Sequence, residues 1–178
     1  MILETERLYL REMTQSDYSA LCKLLQDPDV MATFTKGVYT DSEVQEALNK
    51  TIQSYKEHGC DQWAVVLKEN DEMIGKCGPH TMDFEGEQIF EIGYIFQKAY
   101  WHKGYATEAA IACREYSFCT LGLDEIYSYI METNMPSRHV AERNGMTVYK
   151  EHDKHYPNGD VRRHLLYSVR RPKLEEST

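Results

Sequence analysis

The sequence predicts an α/β (α+β) protein whose sheet is mostly antiparallel and contains one parallel pair of strands. Three strand-like runs, residues 62–68, 73–80 and 88–96, follow one another with only turns between them, as in an antiparallel meander. An alanine-rich helical segment at 107–121 then leads to a further strand at 126–132. Because a strand, a crossover helix and a second strand normally pair in parallel, 88–96 and 126–132 should form the parallel pair.

The segments before this unit predict one strand and two helices. Residues 7–11 alternate polar and apolar side chains, as a half-buried strand does. Cap signals at 14–17 and 40–43 each open a helix with an apolar stripe. Asp27-Pro28 should end the first helix, and we expect a loop at 30–39 that is able to move.

The segments after the unit predict a short helix at 136–143 and a closing hairpin. The hairpin strands are expected at 146–155 and 162–169, around the turn residues Pro157-Asn158-Gly159. The tail from Arg170 onward is polar, so we expect it to be loose. Strands and helices thus account for most of the chain, and we expect residues 1–178 to form a single domain.

Composition indicates a cytoplasmic protein that acts on neither membranes nor nucleic acids. No apolar run approaches the ~20 residues that span a bilayer, and the charged N-terminus lacks a signal-peptide core. The net charge is −9, whereas binding to a nucleic-acid backbone requires a positive surface. An acidic balance is compatible with a cationic substrate.

The cysteine and histidine patterns predict neither a disulfide framework nor a metal site. The five cysteines are scattered, odd in number and without a CxxC pair, which favours reduced, partly buried thiols. His152 and His155 lie three residues apart in a predicted strand, so they should point to opposite faces, and His164 belongs to the other strand of the hairpin. We therefore expect no bound metal.

The run YWHKGYATEAA, residues 100–110, predicts a phosphate-binding loop. It follows an apolar strand and opens the alanine-rich helix, and Gly104 permits backbone conformations that other residues avoid. The N–H groups at a helix N-terminus, together with the helix dipole, favour an anion at this point. Taken alone, a Lys-Gly pair before a helix is also compatible with a plain turn.

Polar residues on the parallel pair and just after it are the candidates for chemistry. Asn134 and Ser137 follow the strand at 126–132; they are either helix caps or groups that reach the same cleft as the loop. Glu91 interrupts an apolar strand; it either points to solvent or faces the cleft as a general base for an amine.

These residues also carry a family resemblance. The runs EIGYIF and WHKGYATEAA, the N-x-x-S followed by ERNGM, and the opening TERLYLRE resemble the GNAT superfamily of N-acetyltransferases. The match is closer to the RimJ/RimL-like, ribosomal-protein alanine acetyltransferase branch. The resemblance implies the GNAT fold, a three-layer arrangement with helices on both faces of the sheet and the cofactor cleft at the parallel pair. It also implies acetyl-CoA as cofactor and direct transfer of acetyl to an amine.

The resemblance assigns roles to individual residues. Glu91, Ser137 and Asn134 would serve catalysis, with Glu91 as base, Ser137 near the leaving thiolate and Asn134 also contacting the cofactor. Backbone groups near Ile95 and Phe96 would pair with the pantetheine arm. The pyrophosphate would be held by the following residues: Lys103, Gly104, Tyr105, Ala106 and Thr107.

Two positions depart from the family pattern. Trp101 stands where the phosphate loop usually begins with Gln or Arg, and Met146 follows Gly145 where the family often has Phe. Because the pyrophosphate contacts are mainly backbone groups, we expect binding to survive the first change.

The sequence as a whole predicts an acetyl-CoA-dependent N-acetyltransferase acting on a primary amine. A protein or peptide N-terminus is the first expected acceptor, and an aminoglycoside or polyamine is the second. A non-catalytic CoA-binding sensor on the same fold is the alternative from another functional class. We expect a monomer or a homodimer.

Overall fold

The computed structural model describes residues 1–34 and 36–172. Within them, eight strands form one sheet: β1 (Leu3–Glu4), β2 (Leu8–Arg11), β3 (Trp63–Leu67), β4 (Glu72–Phe84), β5 (Glu87–Phe96), β6 (Glu125–Met131), β7 (Thr147–His155) and β8 (Val161–Arg170). Their order across the sheet is β1-β2-β3-β4-β5-β6-β8-β7. The helices are α1 (Tyr18–Leu25), α2 (Pro28–Met31), α3 (Asp41–His58), α4 (Tyr105–Cys119) and α5 (Met135–Arg143).

The predicted parallel pair is confirmed. β5 and β6 run parallel and pair at one position, Glu91 opposite Tyr127, whereas the neighbouring strands elsewhere in the described sheet are antiparallel. Helix α4 provides the crossover between the two strands, as the strand–helix–strand rule requires. The mixed, mostly antiparallel sheet of the sequence prediction is therefore present.

Helices cover both faces of this sheet. On one face, α4 and α5 pack against a core that includes Trp63, Val65 and Ile92. On the other, α1, α2 and α3 pack against a core that includes Ala64 and Val66. The alternation of adjacent β3 residues between the two cores explains why WAVVL reads as a continuous apolar run.

The meander is longer than the sequence predicted. β4 continues past His80 to Phe84, and β5 begins at Glu87, one residue earlier than expected. The two-residue connection, Glu85-Gly86, has positive φ at both positions (54° and 87°), as a tight hairpin turn requires. The ladder between the two strands therefore continues to Phe84 opposite Glu87, at the end of β4.

Other boundaries also differ from the prediction. The loop predicted at 30–39 starts too early, because Val30 and Met31 lie in α2, whose N-terminus is capped by the Asp27 carboxylate. Pro28 does follow the end of α1, but it also begins α2, where its missing N–H costs nothing. β1 was not predicted, and α4 begins and ends two residues earlier than 107–121.

Arg170, the first residue of the predicted loose tail, is paired in β8 opposite Glu125 of β6. Residues 173–178 lie outside the described part of the chain. No helix among residues 1–34 and 36–172 is long and apolar enough to cross a membrane.

An ion pair ties the start of α1 to the sheet. The Asp17 carboxylate, which is 4% exposed, accepts hydrogen bonds from both Arg11 Nη atoms at 2.8 and 2.7 Å and from the Thr14 N–H at 2.8 Å. Burial by itself would raise the pKa of Asp17, but the bonds from Arg11 and Thr14 outweigh it and hold the pKa below its ordinary value.

We expect Asp17→Asn to lower the free energy of unfolding at pH 7 by about 2 kcal/mol, because it breaks a mostly buried charged pair. The stabilisation is fully present above the ordinary aspartate pKa of about 4 and is lost as the pH falls through the lowered value. Urea unfolding at several pH values measures it. Asp153→Asn, in an exposed pair with Arg163, is the control and should change little. An equal loss in both variants contradicts the prediction.

Candidate active site

The parallel strands separate immediately beyond Glu91 and Tyr127. In a continued ladder the Tyr129 N–H would donate to the Ile92 carbonyl. Instead, the Ile92 carbonyl accepts a hydrogen bond from Ser128 Oγ at 2.9 Å, and the Tyr129 N–H donates to Glu91 Oε1 at 3.0 Å. Two side chains thus satisfy both backbone groups, and the strands part without leaving either group unpaired. We call the opening between β5 and β6 beyond this point the fork.

The backbone of β5 continues past the fork with alternating orientation. Gln97 N donates to Ile74 O, so odd-numbered β5 residues, including Ile95, direct their backbone groups toward β4. Even-numbered residues, such as Ile92, direct theirs toward β6. Tyr94 and Phe96 therefore present backbone groups to the fork, and the Phe96 carbonyl also accepts a bond from the Trp101 indole at 2.8 Å.

Glu91 is buried at the fork rather than turned to solvent. Its side chain is 14% exposed, Oε1 is held by the Tyr129 N–H, and Oε2 lies 3.5 Å from His80 Nε2. Burial raises the pKa of the Glu91 carboxyl, although His80, the Tyr129 N–H and Lys154 oppose the shift. A carboxylate with a raised pKa is a stronger base than an exposed one.

Ser137 lies on the other side of β5, in a closed pair with Tyr94. The Tyr94 hydroxyl donates to the Ser137 carbonyl at 2.7 Å and accepts a bond from Ser137 Oγ at 3.2 Å. Burial raises the pKa of Tyr94 well above its ordinary value. The sequence offered 13 tyrosines and no means of choosing among them. The sequence signal that could have selected Tyr94 was the alternation of side chains along β5, which places Tyr94 with Ile92 on the face that α4 and α5 cover.

Asn134 is the N-cap of α5. Its side-chain oxygen accepts a bond from the Ser137 N–H at 3.3 Å, so of the two sequence interpretations the structure displays the cap. The cap uses only the oxygen of the side chain, and the amide N–H groups stay available to another partner. Asn134 also fixes the position of Ser137, because both residues belong to the first turn.

The loop before α4 has the geometry of an anion site. Gly104 is the N-cap, with φ +82°, and His102 two residues earlier also has positive φ, at 60°. The helical bonds begin with Glu108 N donating to Gly104 O at 3.0 Å. The N–H groups of residues 105–107 therefore precede the helical ladder, and glycine has no side chain to cap them. Lys103 is exposed beside them.

Arg7 braces this loop from the N-terminal segment, which the sequence analysis did not foresee. Its Nη1 donates to the Lys103 carbonyl at 2.9 Å, and its Nη2 lies 2.7 Å from Glu108 Oε2. Its guanidinium carbon lies 4.4 Å from the centroid of the Tyr105 ring. Thr5 Oγ1 donates to the same Glu108 carboxylate at 2.6 Å. The sequence signal for this brace was the opening run TERLYLRE, whose Thr5 and Arg7 make these contacts.

Aromatic and histidine side chains form a wall beside Glu91. His152 and His164 are opposite each other in β7 and β8; Tyr129 Oη lies 2.6 Å from His152 Nδ1, and the Tyr129 ring stacks on His164 at 4.7 Å. Lys154 Nζ lies 5.6 Å from the centroid of the Tyr129 ring. Among the residues that the structure describes, no group of three or more His, Cys, Asp or Glu could hold a metal ion.

Comparison with known proteins places this arrangement in a family. A family model described as an acetyltransferase (GNAT) domain matches residues 7–147. The chain belongs to the GNAT family of acetyltransferases. This acetyltransferase is 36% identical over 149 residues to the uncharacterized protein YkkB of Bacillus subtilis (strain 168), which is 83% of this chain and 86% of that protein. It is 32% identical to the uncharacterized N-acetyltransferase YnaD of the same organism, covering 90% and 91%.

Solved structures show the same fold. The acetyltransferase (GNAT family) from Bacillus anthracis matches at 30% identity with a TM-score of 0.83, covering 96% of this chain and 98% of that chain. RimL, a ribosomal L7/L12 α-N-protein acetyltransferase in complex with coenzyme A, has a TM-score of 0.80 at 18% identity, covering 95% and 97%. A spermidine N-acetyltransferase from Vibrio cholerae, in complex with CoA and spermine, has 0.76 at 20%, covering 93% and 96%.

We expect Arg7→Lys to loosen the first turn of α4, because lysine keeps the charge but cannot span Lys103 and Glu108 together. Hydrogen exchange of the amides at 108–110 should accelerate by about three- to tenfold. Mass-spectrometric exchange measures this. Arg170→Lys, whose exposed side chain pairs with Glu125 far from the loop in sequence, is the control and should leave these amides unchanged. Unaltered exchange in Arg7→Lys would show that Arg7 does not brace the loop.

Proposed function

We propose that this protein is an acetyl-CoA-dependent N-acetyltransferase that transfers acetyl directly to a primary amine. The fork carries the proposal: β5 and β6 separate after a single pairing, and the broken rung is satisfied by Ser128 and Glu91. An opening in the middle of a sheet is costly unless its backbone groups find partners. A ligand that supplies amide groups along β5 meets that need.

We propose that the cofactor occupies the fork and the loop together. Backbone groups of Tyr94 and Phe96 would pair with the pantetheine amides, beside the backbone of Ile95. The uncapped N–H groups that begin at Gly104 would bind the pyrophosphate, and Asn134 would contact the arm through its amide. RimL and the spermidine acetyltransferase, which share the fold, are structures with coenzyme A. When bound, acetyl-CoA supplies the activated acetyl group.

The acid and base of the reaction would come from opposite faces of β5. An amine must be neutral to attack, so Glu91, whose pKa is raised by burial, would remove a proton from the incoming ammonium. Ser137 and Tyr94 would return a proton to the leaving thiolate. A backbone N–H of β5 would stabilise the negative charge that develops on the acetyl oxygen.

A protein or peptide N-terminus is the first acceptor that we propose, on the strength of the RimJ/RimL-like motifs. The charge of −9 keeps a cationic small amine, such as a polyamine or an aminoglycoside, as the second. The same fold serves both a ribosomal-protein enzyme and a spermidine enzyme, so the fold does not choose between them.

We propose one acetyltransferase domain over 1–178, monomeric or homodimeric and cytoplasmic.

The decisive experiment follows release of the CoA thiol from acetyl-CoA in the presence of peptides, polyamines and aminoglycosides. We expect release with at least one class, and Glu91→Gln should lower kcat/KM near neutral pH by about 100-fold, the effect of losing a general base. The wild-type rate should rise as the pH increases above the ordinary glutamate pKa, because Glu91 must be ionised. Glu87→Gln, an exposed position on the same strand, is the control.

Absence of release with every amine, together with tight CoA binding by calorimetry, would overturn catalysis and favour the sensor. Wild-type turnover in Glu91→Gln would remove Glu91 from the mechanism while leaving acetyl transfer intact.

The cofactor placement is tested by Gly104→Ala, with Gly86→Ala as its matched control. Both glycines have strongly positive φ, +82° and +87°, so each substitution should cost about 1–2 kcal/mol of unfolding free energy. A Cβ at Gly104 would also lie 3.4 Å from Arg7 Nη2, whereas at Gly86 nothing lies within 4 Å. We expect the Kd for CoA to rise at least about tenfold in Gly104→Ala only. Equal affinities would place the cofactor elsewhere.

A further inference from the structure

His80 approaches Glu91 across the β4–β5 ladder. The two residues are direct partners in the register, and His80 Nε2 lies 3.5 Å from Glu91 Oε2. The other carboxylate oxygen, Oε1, is already occupied by the Tyr129 N–H at 3.0 Å. The carboxylate is therefore held between a donor on β6 and an imidazole on β4, one on each of the strands that flank β5.

The surroundings of the imidazole indicate which nitrogen carries its proton. His80 Nδ1 is buried and has no hydrogen-bond partner among the residues that the structure describes. A buried N–H without an acceptor is more costly than a bare nitrogen lone pair. The proton therefore belongs on Nε2, the nitrogen that lies 3.5 Å from Glu91 Oε2, where its positive end favours the ionised carboxylate.

The imidazole of His80 also packs against the backbone of β5 at Gly93. A Cβ at Gly93 would lie 2.9 Å from His80 Cε1 and 2.1 Å from Gln62 Nε2. Both side chains therefore pack directly against the strand at Gly93, and a larger residue there would have to displace them. Gly93 lies two residues beyond the pairing of Glu91 with Tyr127, so the imidazole packs where the two strands part.

We propose that His80 is a positioning residue for acetyl transfer: its Nε2, 3.5 Å from Glu91 Oε2, keeps that carboxylate ionised and aimed at the fork. This inference rests on the proposed function, in which Glu91 is the base. The inference adds His80 on β4 to the Tyr129 N–H on β6 as a second group that acts on the Glu91 carboxylate. β4 carries none of the family motifs.

His80 itself gains no proton in the reaction. Glu91 takes a proton from the acceptor ammonium, the amine nitrogen forms the bond to the acetyl carbon, and the carbon–sulfur bond breaks. The electron pair of that bond leaves with the thiolate, which gains the second proton that the nitrogen loses as the amide forms, and Glu91 releases the first proton to solvent. The imidazole acts only through its effect on the Glu91 carboxylate.

The other groups around Glu91 are accounted for. Lys154 on β7 opposes the rise in the pKa of Glu91, and burial raises it. Tyr129 on β6 and Tyr94 on β5 are the titratable neighbours, and burial raises the pKa of both, that of Tyr129 to about 12, so neither titrates near neutral pH. Gln62, beside Gly93, is uncharged. Removing the imidazole thus deletes the β4 donor and leaves the rest in place.

The test compares His80→Leu, which has no donor, with His80→Gln, whose amide N–H can take the place of Nε2–H. We expect the acid limb of the kcat/KM profile to move up by about one pH unit in His80→Leu and to stay near the wild type in His80→Gln. The Kd for CoA should change less than about twofold in either, since the effect acts through Glu91. His58→Gln, at the exposed end of α3, is the control.

An unmoved limb in His80→Leu, or equal shifts in the Leu and Gln variants, would overturn the inference. A readout without turnover keeps it separate from the proposed function: ¹³C NMR of the Glu91 carboxyl should report a higher pKa in His80→Leu than in the wild type. If no amine is acetylated, the proposed function fails while this measurement still decides the role of His80. Should His80→Leu fail to fold, the comparison of His80→Gln with the wild type decides the role of His80. An acid limb of the kcat/KM profile that moves by a full pH unit in His80→Gln would overturn the inference.

Discussion

The candidate active site depends on one hydrogen bond that the sheet does not make. A regular parallel ladder would join the Tyr129 N–H to the Ile92 carbonyl, and β5 and β6 would then run together to their ends. Ser128 takes the carbonyl and Glu91 takes the N–H, so both groups are satisfied while the strands diverge. Because buried backbone groups require partners, these two side chains make the fork stable before any ligand enters it.

The same interaction shapes the chemistry. The carboxylate that replaces the missing acceptor is withdrawn from water, and this burial raises the pKa of Glu91. Structure and the proposed reactivity therefore share a cause: Glu91 lies in the fork because the Tyr129 N–H needs an acceptor there, and burial at that place raises its pKa. The proposed proton donor, Ser137 with Tyr94, lies on the opposite face of β5, since residues 91 and 94 differ by an odd number and strands alternate.

The proposed anion-binding end of the site, the loop before α4, depends on the N-terminus of a helix and not on the sheet. Gly104 turns the chain into α4 with a left-handed conformation, and the first N–H groups of the helix then point at one place without a cap. A loop without regular secondary structure needs side-chain contacts from other segments to hold its conformation. Arg7 supplies that support by bonding the Lys103 carbonyl and the Glu108 carboxylate at once. The ends of the family match, residues 7 and 147, thus enclose both the brace and the fork.

The sequence by itself determined the parallel pair, the glycine loop before α4 and the caps of α3 and α5. Each depends on residues close together in the chain, such as Thr40 with Glu43 or Asn134 with Ser137. The orientation of Glu91, the pairing of Tyr94 with Ser137 and the brace by Arg7 were decided by the tertiary structure. Their partners lie 38, 43 and 101 residues apart, so local patterns cannot select among the possible contacts. Periodicity placed Glu91 on a strand, but only the packed sheet determined that its carboxylate turns inward to a strand whose ladder has ended.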